Sequence, residues 1–216
     1  AVSELGRDNG FLTNIAVRIL DGTIIERSIR TVNDQFANQP LVRARLLQTL
    51  SATMLNLGLL DRAAGAQTEA LAIRRKELGN EHPDTTESIS GAAELLRQQG
   101  RLDLAAPLFT EALETSRRVL GNSHRHTLTA LINFSTMKMF EGKLDEAEPL
   151  QREAIELSRQ LLGESHPDLA GAMSNLAFNI VKRNKLDEAV GLVQGALAIR
   201  RKALGDDPPD TIESVN

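Results

Sequence analysis

Cysteine, tyrosine and tryptophan are absent from this chain, and each absence removes a class of explanation. Without cysteine there are no disulfides, no thiolate metal sites and no cysteine nucleophile. Without tyrosine or tryptophan, and with only six phenylalanines, any core must be built from Leu, Ile, Val and Ala. No apolar run approaches the roughly 18–20 residues that a membrane-spanning helix needs, so no membrane insertion is expected. A signal-peptide pattern is also missing, and the chain reads as soluble and cytoplasmic. A net charge of −4, with acidic and basic residues interleaved, argues against a nucleic-acid surface. There is no phosphate loop, dinucleotide fingerprint, Gly-x-Ser-x-Gly or His-Glu-x-x-His. The expectation is therefore a non-enzyme that carries no cofactor and no metal.

What is present is a recurring phrase. Leu78-Gly79-Asn80-Glu81-His82-Pro83-Asp84-Thr85 returns as Leu120-Gly121-Asn122-Ser123-His124-Arg125-His126-Thr127 and as Leu162-Gly163-Glu164-Ser165-His166-Pro167-Asp168. A frayed copy reads Leu204-Gly205-Asp206-Asp207-Pro208-Pro209-Asp210-Thr211. The four glycines are 42 residues apart each time, with no insertion or deletion. Spacing this regular means stacked copies of one supersecondary unit. Residues 41–208 then divide into 41–82, 83–124, 125–166 and 167–208, and 209–216 begins a further copy. Because the chain starts at Ala1 and stops inside what reads as another helix, a piece of a longer protein is expected.

Each unit is divided again at Gly58, Gly100, Gly142 and Asn184. A helix end favours a left-handed residue, Gly first and Asn next, so Asn184 is the substitution that backbone sterics would allow. After these turns come Asp61, Asp103, Asp145 and Asp187, expected to N-cap a second helix. Pro107 and Pro149 are expected near the end of its first turn, where a missing N–H costs least. Ala63, Ala105, Ala147 and Ala189 keep one register of that helix, and Ala70, Ala112, Ala154 and Ala196 another, which allows close helix approach. The first helix keeps Leu50, Ala92, Phe134 and Leu176, followed by Ser51, Ala93, Ser135 and Ala177. Each unit is thus a helical hairpin that cannot bury its apolar face alone, so the hairpins stack. The expected fold is all-α, a right-handed α-solenoid. Ahead of it, residues 1–40 form a helical lead-in. Thr23 and Glu26 fit a capping box, and Ile25, Ile29, Val32 and Phe36 make one stripe able to cover the first repeat.

Small residue, Gly-x-Leu-Asp-x-Ala and Ala-Leu in this order resemble the tetratricopeptide repeat. The Leu-Gly-x-x-His-Pro-Asp-Thr linker and its spacing resemble the longer form found in kinesin light chains. The family's tyrosine positions hold Met54, Leu96, Lys138 and Ile180 here, so the core is aliphatic where the family is usually aromatic. Residues 11–57 are similar to the lead-in of such repeats in multidomain bacterial serine/threonine kinases, which would make the array a regulatory segment acting by assembly or inhibition.

The histidines His82, His124 and His166 invite a zinc reading. One repeat apart, they cannot bring nitrogens within about 2.1 Å of one ion, because packed helices lie about 8–10 Å apart. The bland reading wins: each imidazole ties down a linker or a helix start, and His126, standing where other copies have Asp, weakens one cap. The basic clusters Arg74-Arg75-Lys76, Arg117-Arg118 and Arg200-Arg201-Lys202 complement helix C-termini and read as a solvated face.

The remaining candidate is the concave face, where the family binds peptides or protein partners. Carrying its register over gives Arg45, Gln48, Thr49 and Ala52, then Glu87, Ser90, Gly91, Glu94 and Arg97. The third unit offers Thr129, Ile132, Asn133, Thr136, Met139 and Phe140, and the fourth Gly171, Ser174, Asn175, Phe178 and Lys182. The resemblance implies that Asn133 and Asn175 bond a ligand backbone, the alternative being bonds within or between helices. The cations that clamp a terminal carboxylate in some relatives are missing at Gln48, Thr129 and Asn133. Met139, Phe140 and Phe178 instead form an apolar patch or pack between repeats. The expected function is a binding module for a protein or peptide, with end-to-end self-association as a further reading.

Overall fold

The computed structural model describes residues 24–204, which fall into two compact units divided after Gly100. The first unit holds α1 (Glu26–Gln35), α2 (Pro40–Asn56), α3 (Leu60–Leu78) and α4 (Pro83–Gln98). The second holds α5 (Leu102–Leu120), α6 (Arg125–Phe140), α7 (Leu144–Leu162), α8 (Pro167–Lys182) and α9 (Leu186–Leu204). Among the described residues there is no strand. Within each unit every helix packs on the next in sequence, and α6 also touches α8.

Burial follows the two small-residue registers. Ala63, Ala105 and Ala147 are wholly enclosed, as are Ala70, Ala112 and Ala196. On the helices that precede them, the second position of each expected pair is buried, at Ser51, Ala93, Ser135 and Ala177; the first is buried at Ala92 and Leu176 but only partly covered at Leu50 and Phe134. Ser51 fits there because its hydroxyl donates to the Ala63 carbonyl at 2.8 Å, which ties α2 to α3 and satisfies the buried oxygen. In the first unit Ile25 and Val32 join Leu47, Met54, Ile73 and Leu95 in one cluster, with Ile29 packed against it. The α1 stripe therefore does cover the first hairpin. Its helix begins at Glu26 without a side-chain cap, and the Thr23 half of the expected capping box lies outside the described residues. Each fully buried Leu or Ile contributes about 1.5–3 kcal/mol relative to exposure, so an aliphatic core suffices without the family's aromatics.

Two kinds of left-handed residue punctuate the fold. Gly58, Gly100 and Gly142 have φ of 74°, 75° and 75°, and Asn184 has 60°. That is the left-handed region an Asn tolerates, as the sequence reading expects. Gly79 is different: φ 82° with ψ 171° is a region open essentially to Gly alone. Gly121 and Gly163 repeat the same backbone. Hence one punctuation site drifts to Asn and the other does not.

Three expectations are corrected. The Asp residues are not N-caps. The cap positions fall two residues earlier, at Leu59, Arg101 and Lys143, which make no side-chain cap, and the helices begin at Leu60, Leu102 and Leu144. Asp61, Asp103 and Asp145 lie in the first turn, where negative charge suits the helix dipole. With that start, Pro107 and Pro149 are inside their helices rather than in the first turn. Each leaves the carbonyl four residues back without its helical donor. The third correction concerns Arg74, which is not part of a solvated basic face but 5% exposed.

The histidine linkers are helix caps. In all three, Nδ1 accepts the backbone N–H two residues on, from Asp84, His126 and Asp168, at 3.1 Å each. The bond is made to a backbone N–H, so the imidazole at His126 does not break the cap there. That copy loses the first-turn carboxylate and the proline at the first helical position, where Arg125 stands.

Candidate functional site

In the first unit, Arg45 and Gln48 of α2 share a concavity of 590 Å³ with Thr49, Ala52, Arg74, Asp84 and Glu87. The Gln48 amide donates to Glu87 Oε1 at 3.2 Å, linking α2 to α4 across its mouth. Glu94 and Arg97, one turn apart on α4, are not among its lining residues and bind each other instead. Arg97 Nε donates to Glu94 Oε2 at 2.8 Å, and Gln98 adds a bond of 2.8 Å to the other oxygen. Burial pushes the Glu94 carboxyl up, but the bonds from Arg97 and Gln98 outweigh it and hold its pKa below the ordinary value. The bond to Glu94 in turn raises the pKa of Arg97. These two charges are thus largely committed to one another.

The second unit carries a different surface. Asn133 on α6 and Asn175 on α8 occupy the same register one repeat apart, and both are half-buried. Neither carboxamide has a hydrogen-bond partner among the described residues. A side-chain amide offers two donors and an acceptor, so both positions retain their full capacity. Beyond them Phe178 is 54% exposed, with the Lys182 ammonium 5.1 Å from its ring centroid. Phe140 is 55% exposed. Met139 departs from this set: it is half-buried, and its sulfur accepts from the Gln151 amide. Of the three expected apolar positions, two are exposed and one is half-buried.

Beneath this face runs a polar chain that the sequence reading missed. Asn179 donates to Gln151 Oε1 at 2.8 Å and to the Leu144 carbonyl at 3.1 Å, and Gln151 donates to the Asn175 carbonyl at 3.2 Å. In the first unit Gln67, in the register of Gln151, donates to the Ser88 carbonyl at 3.0 Å. It passes close under Gly91, where a Cβ would stand 2.6 Å from the amide nitrogen. So Gly91 serves α3–α4 packing rather than a groove surface. The signal for these residues was available as in-register departures: Gln67 and Gln151 alternate with Phe109 and Val193, and Asn179 stands where other copies have Leu95 and Met137.

Among the described residues, no group of three His, Asp or Glu side chains is placed to hold a metal ion. No described helix is long and apolar enough to cross a membrane.

The description "Tetratricopeptide repeat" matches residues 42–118 and 127–202. Among solved structures, BtubC (BKLC) from P. vanneervenii is similar at 26% identity and TM-score 0.74, covering 88% of this chain and 77% of that one. A putative kinesin light chain from Podospora anserina with nearly identical repeats has 23% identity and TM-score 0.70, over 80% of this chain and 81% of that one. YrrB, described as a tetratricopeptide protein with an unusual peptide-binding site, has 16% identity and TM-score 0.57, over 92% of this chain and 88% of that one. No curated protein matches the chain. The histidine-capped linkers, the paired left-handed turns and the small-residue registers are those of stacked helix-turn-helix repeats. The chain belongs to the tetratricopeptide repeat family, an all-α class of protein-interaction modules.

Proposed function

We propose that the second unit binds an extended or helical peptide of a protein partner on the α6–α8 face. The observation that supports this reading is the pair of unspent carboxamides at Asn133 and Asn175, in one register on two touching helices. Their amide atoms are open to water rather than sealed, so a ligand backbone can take the place of that water hydrogen bond for hydrogen bond. Phe178 and Phe140 supply exposed apolar anchors nearby, and the two kinds of contact together are those of groove recognition. Arg45 and Gln48 line a separate candidate surface within the first unit, where Glu94 and Arg97 are occupied with each other.

The test is capture of a partner with the intact chain, repeated with Asn133→Ala, Asn175→Ala and Phe178→Ala combined. Loss of the partner with unchanged helicity supports the assignment, and undiminished capture by the triple variant overturns it. A regulatory role beside a kinase domain, and end-to-end self-association, are separate readings. The first is decided by reading the coding sequence ahead of Ala1 for a glycine-rich loop and His-Arg-Asp. The second is decided by light scattering over a concentration series.

A further inference from the structure

Arg74 is a buried cation without an anion. Its Nη1 donates to the Asp84 carbonyl at 2.9 Å and to the Ser88 hydroxyl at 2.7 Å, both neutral acceptors. A guanidinium has five N–H donors, so Nε and Nη2 remain. Among the described residues neither meets an acceptor, and neither is sealed from solvent. Together they form the edge that grips a carboxylate with two parallel bonds. Arg74 lines the concavity between α2 and α4, and Arg45, exposed, lines it too. The Arg45 guanidinium also has no acceptor among the described residues.

Two of the other three copies do without this arginine, the fourth having Arg200 in register. In register, Arg74 and Ser88 are replaced by Ser116 and Ala130, and again by Ser158 and Ala172. The same hairpin contact is thus built twice in the second unit without a cation. Two carboxylates also line the concavity, and both are accounted for. Glu87 takes the Gln48 amide, and Asp84 lies in the first turn of α4, where the helix dipole favours its charge. Arg74 keeps one guanidinium edge open and Arg45 has no acceptor among the described residues, so the site can take an anion.

Resting on the reading that this array binds a peptide, we infer that the α2–α4 concavity is the subsite for a ligand carboxylate, gripped by the Nε–Nη2 edge of Arg74 with Arg45 at the rim. This is not the carboxylate clamp of relatives, whose cations lie on the first helix of each repeat. Here the gripping residue comes from the second helix of the first repeat and forms the floor. Two sources supply the same chemistry, an acidic side chain or a peptide C-terminus.

The Arg74 Nε–H resonance of the intact ¹⁵N-labelled protein reads the site directly, without a variant that could fail to fold. It is followed while adding acetyl-glutamate N-methylamide, acetyl-leucine or the neutral acetyl-glutamine N-methylamide. The expected result is a saturable shift with one or both carboxylates and none with the amide; the tighter of the two acids identifies the source. Arg45→Gln should weaken that binding about threefold, as for an exposed ion pair, and Glu87→Gln should strengthen it. No shift with either acid, or an equal shift with the neutral amide, overturns the assignment. Either result leaves the second-unit groove to be judged by its own triple variant.

Discussion

The Asn179 carboxamide donates to Gln151 Oε1 at 2.8 Å with both side chains essentially sealed from solvent, at 0% and 1% exposure. One repeat earlier the matching positions are Phe109 and Met137, both buried. The same pairing of a second helix with the next first helix is thus built once from amides and once from hydrocarbon.

Asn179→Leu should therefore be costly. It removes the donor to the buried Gln151 Oε1, leaving that acceptor unpaired, and the second donor to the Leu144 carbonyl, at about 1–3 kcal/mol. Replacing both partners, with Gln151→Phe and Asn179→Met, should recover much of that loss by copying the apolar version. Urea unfolding of the three proteins checks it; a double variant no better than the single would show that the amide chain is needed for more than pairing.

The histidine caps predict a residue-specific pattern. His166→Ala should cost about 1 kcal/mol, the usual value of a lost N-cap. His166→Asn should retain most of the stability, because its side-chain oxygen can accept the Asp168 N–H. Denaturant midpoints of the two variants decide it.

The two punctuation sites should respond differently to the same change. Gly142→Asn places an Asn where Asn184 already stands in register and should cost only a few tenths of a kcal/mol, whereas Gly163→Asn should cost about 1–3 kcal/mol. Thermal unfolding compares them. Equal losses would mean that the distinction between the two backbone regions carries no energetic weight.

Acid should act through Glu94. Its carboxyl is held below the ordinary value in the folded chain, so the folded state binds fewer protons than the unfolded one. The stabilisation is fully present above the ordinary glutamate pKa and is lost as pH falls through the depressed one. Glu94→Gln should accordingly lose less stability than the parent between neutral pH and pH about 3. Unfolding curves at several pH values test this, and parallel losses in both proteins would refute it.

The fold was readable because its determinants recur. Gly79, Gly121 and Gly163 set the period, and the Ala63 and Ala70 registers set the inner face. Helix starts were misread by two residues because Asp61 is a good cap by type, yet the left-handed turn before it already directs the chain into helix at Leu60. Arg74 was misread because a cluster of three basic residues near a helix end looks solvated in one dimension. Around a helix, neighbours in sequence point about 100° apart, and Arg74 is the member that turns inward. Asn133 and Asn175 were visible as candidates, but whether they bond internally depends on neighbours two helices away, which no local pattern encodes.

The three linker glycines have nearly superposable dihedrals: 82° and 171°, 85° and 169°, 87° and 168°. Each junction therefore enters and leaves its hairpin with the same local backbone. A segment cut at any two of these glycines can be copied, removed or exchanged without straining the backbone at the seam, provided that side chains meeting across it, such as Gln151 and Asn179 across Gly163, keep matching partners. The gene can thus lengthen or shorten the protein in whole hairpins, and specificity can change by swapping cassettes rather than by editing residues one at a time.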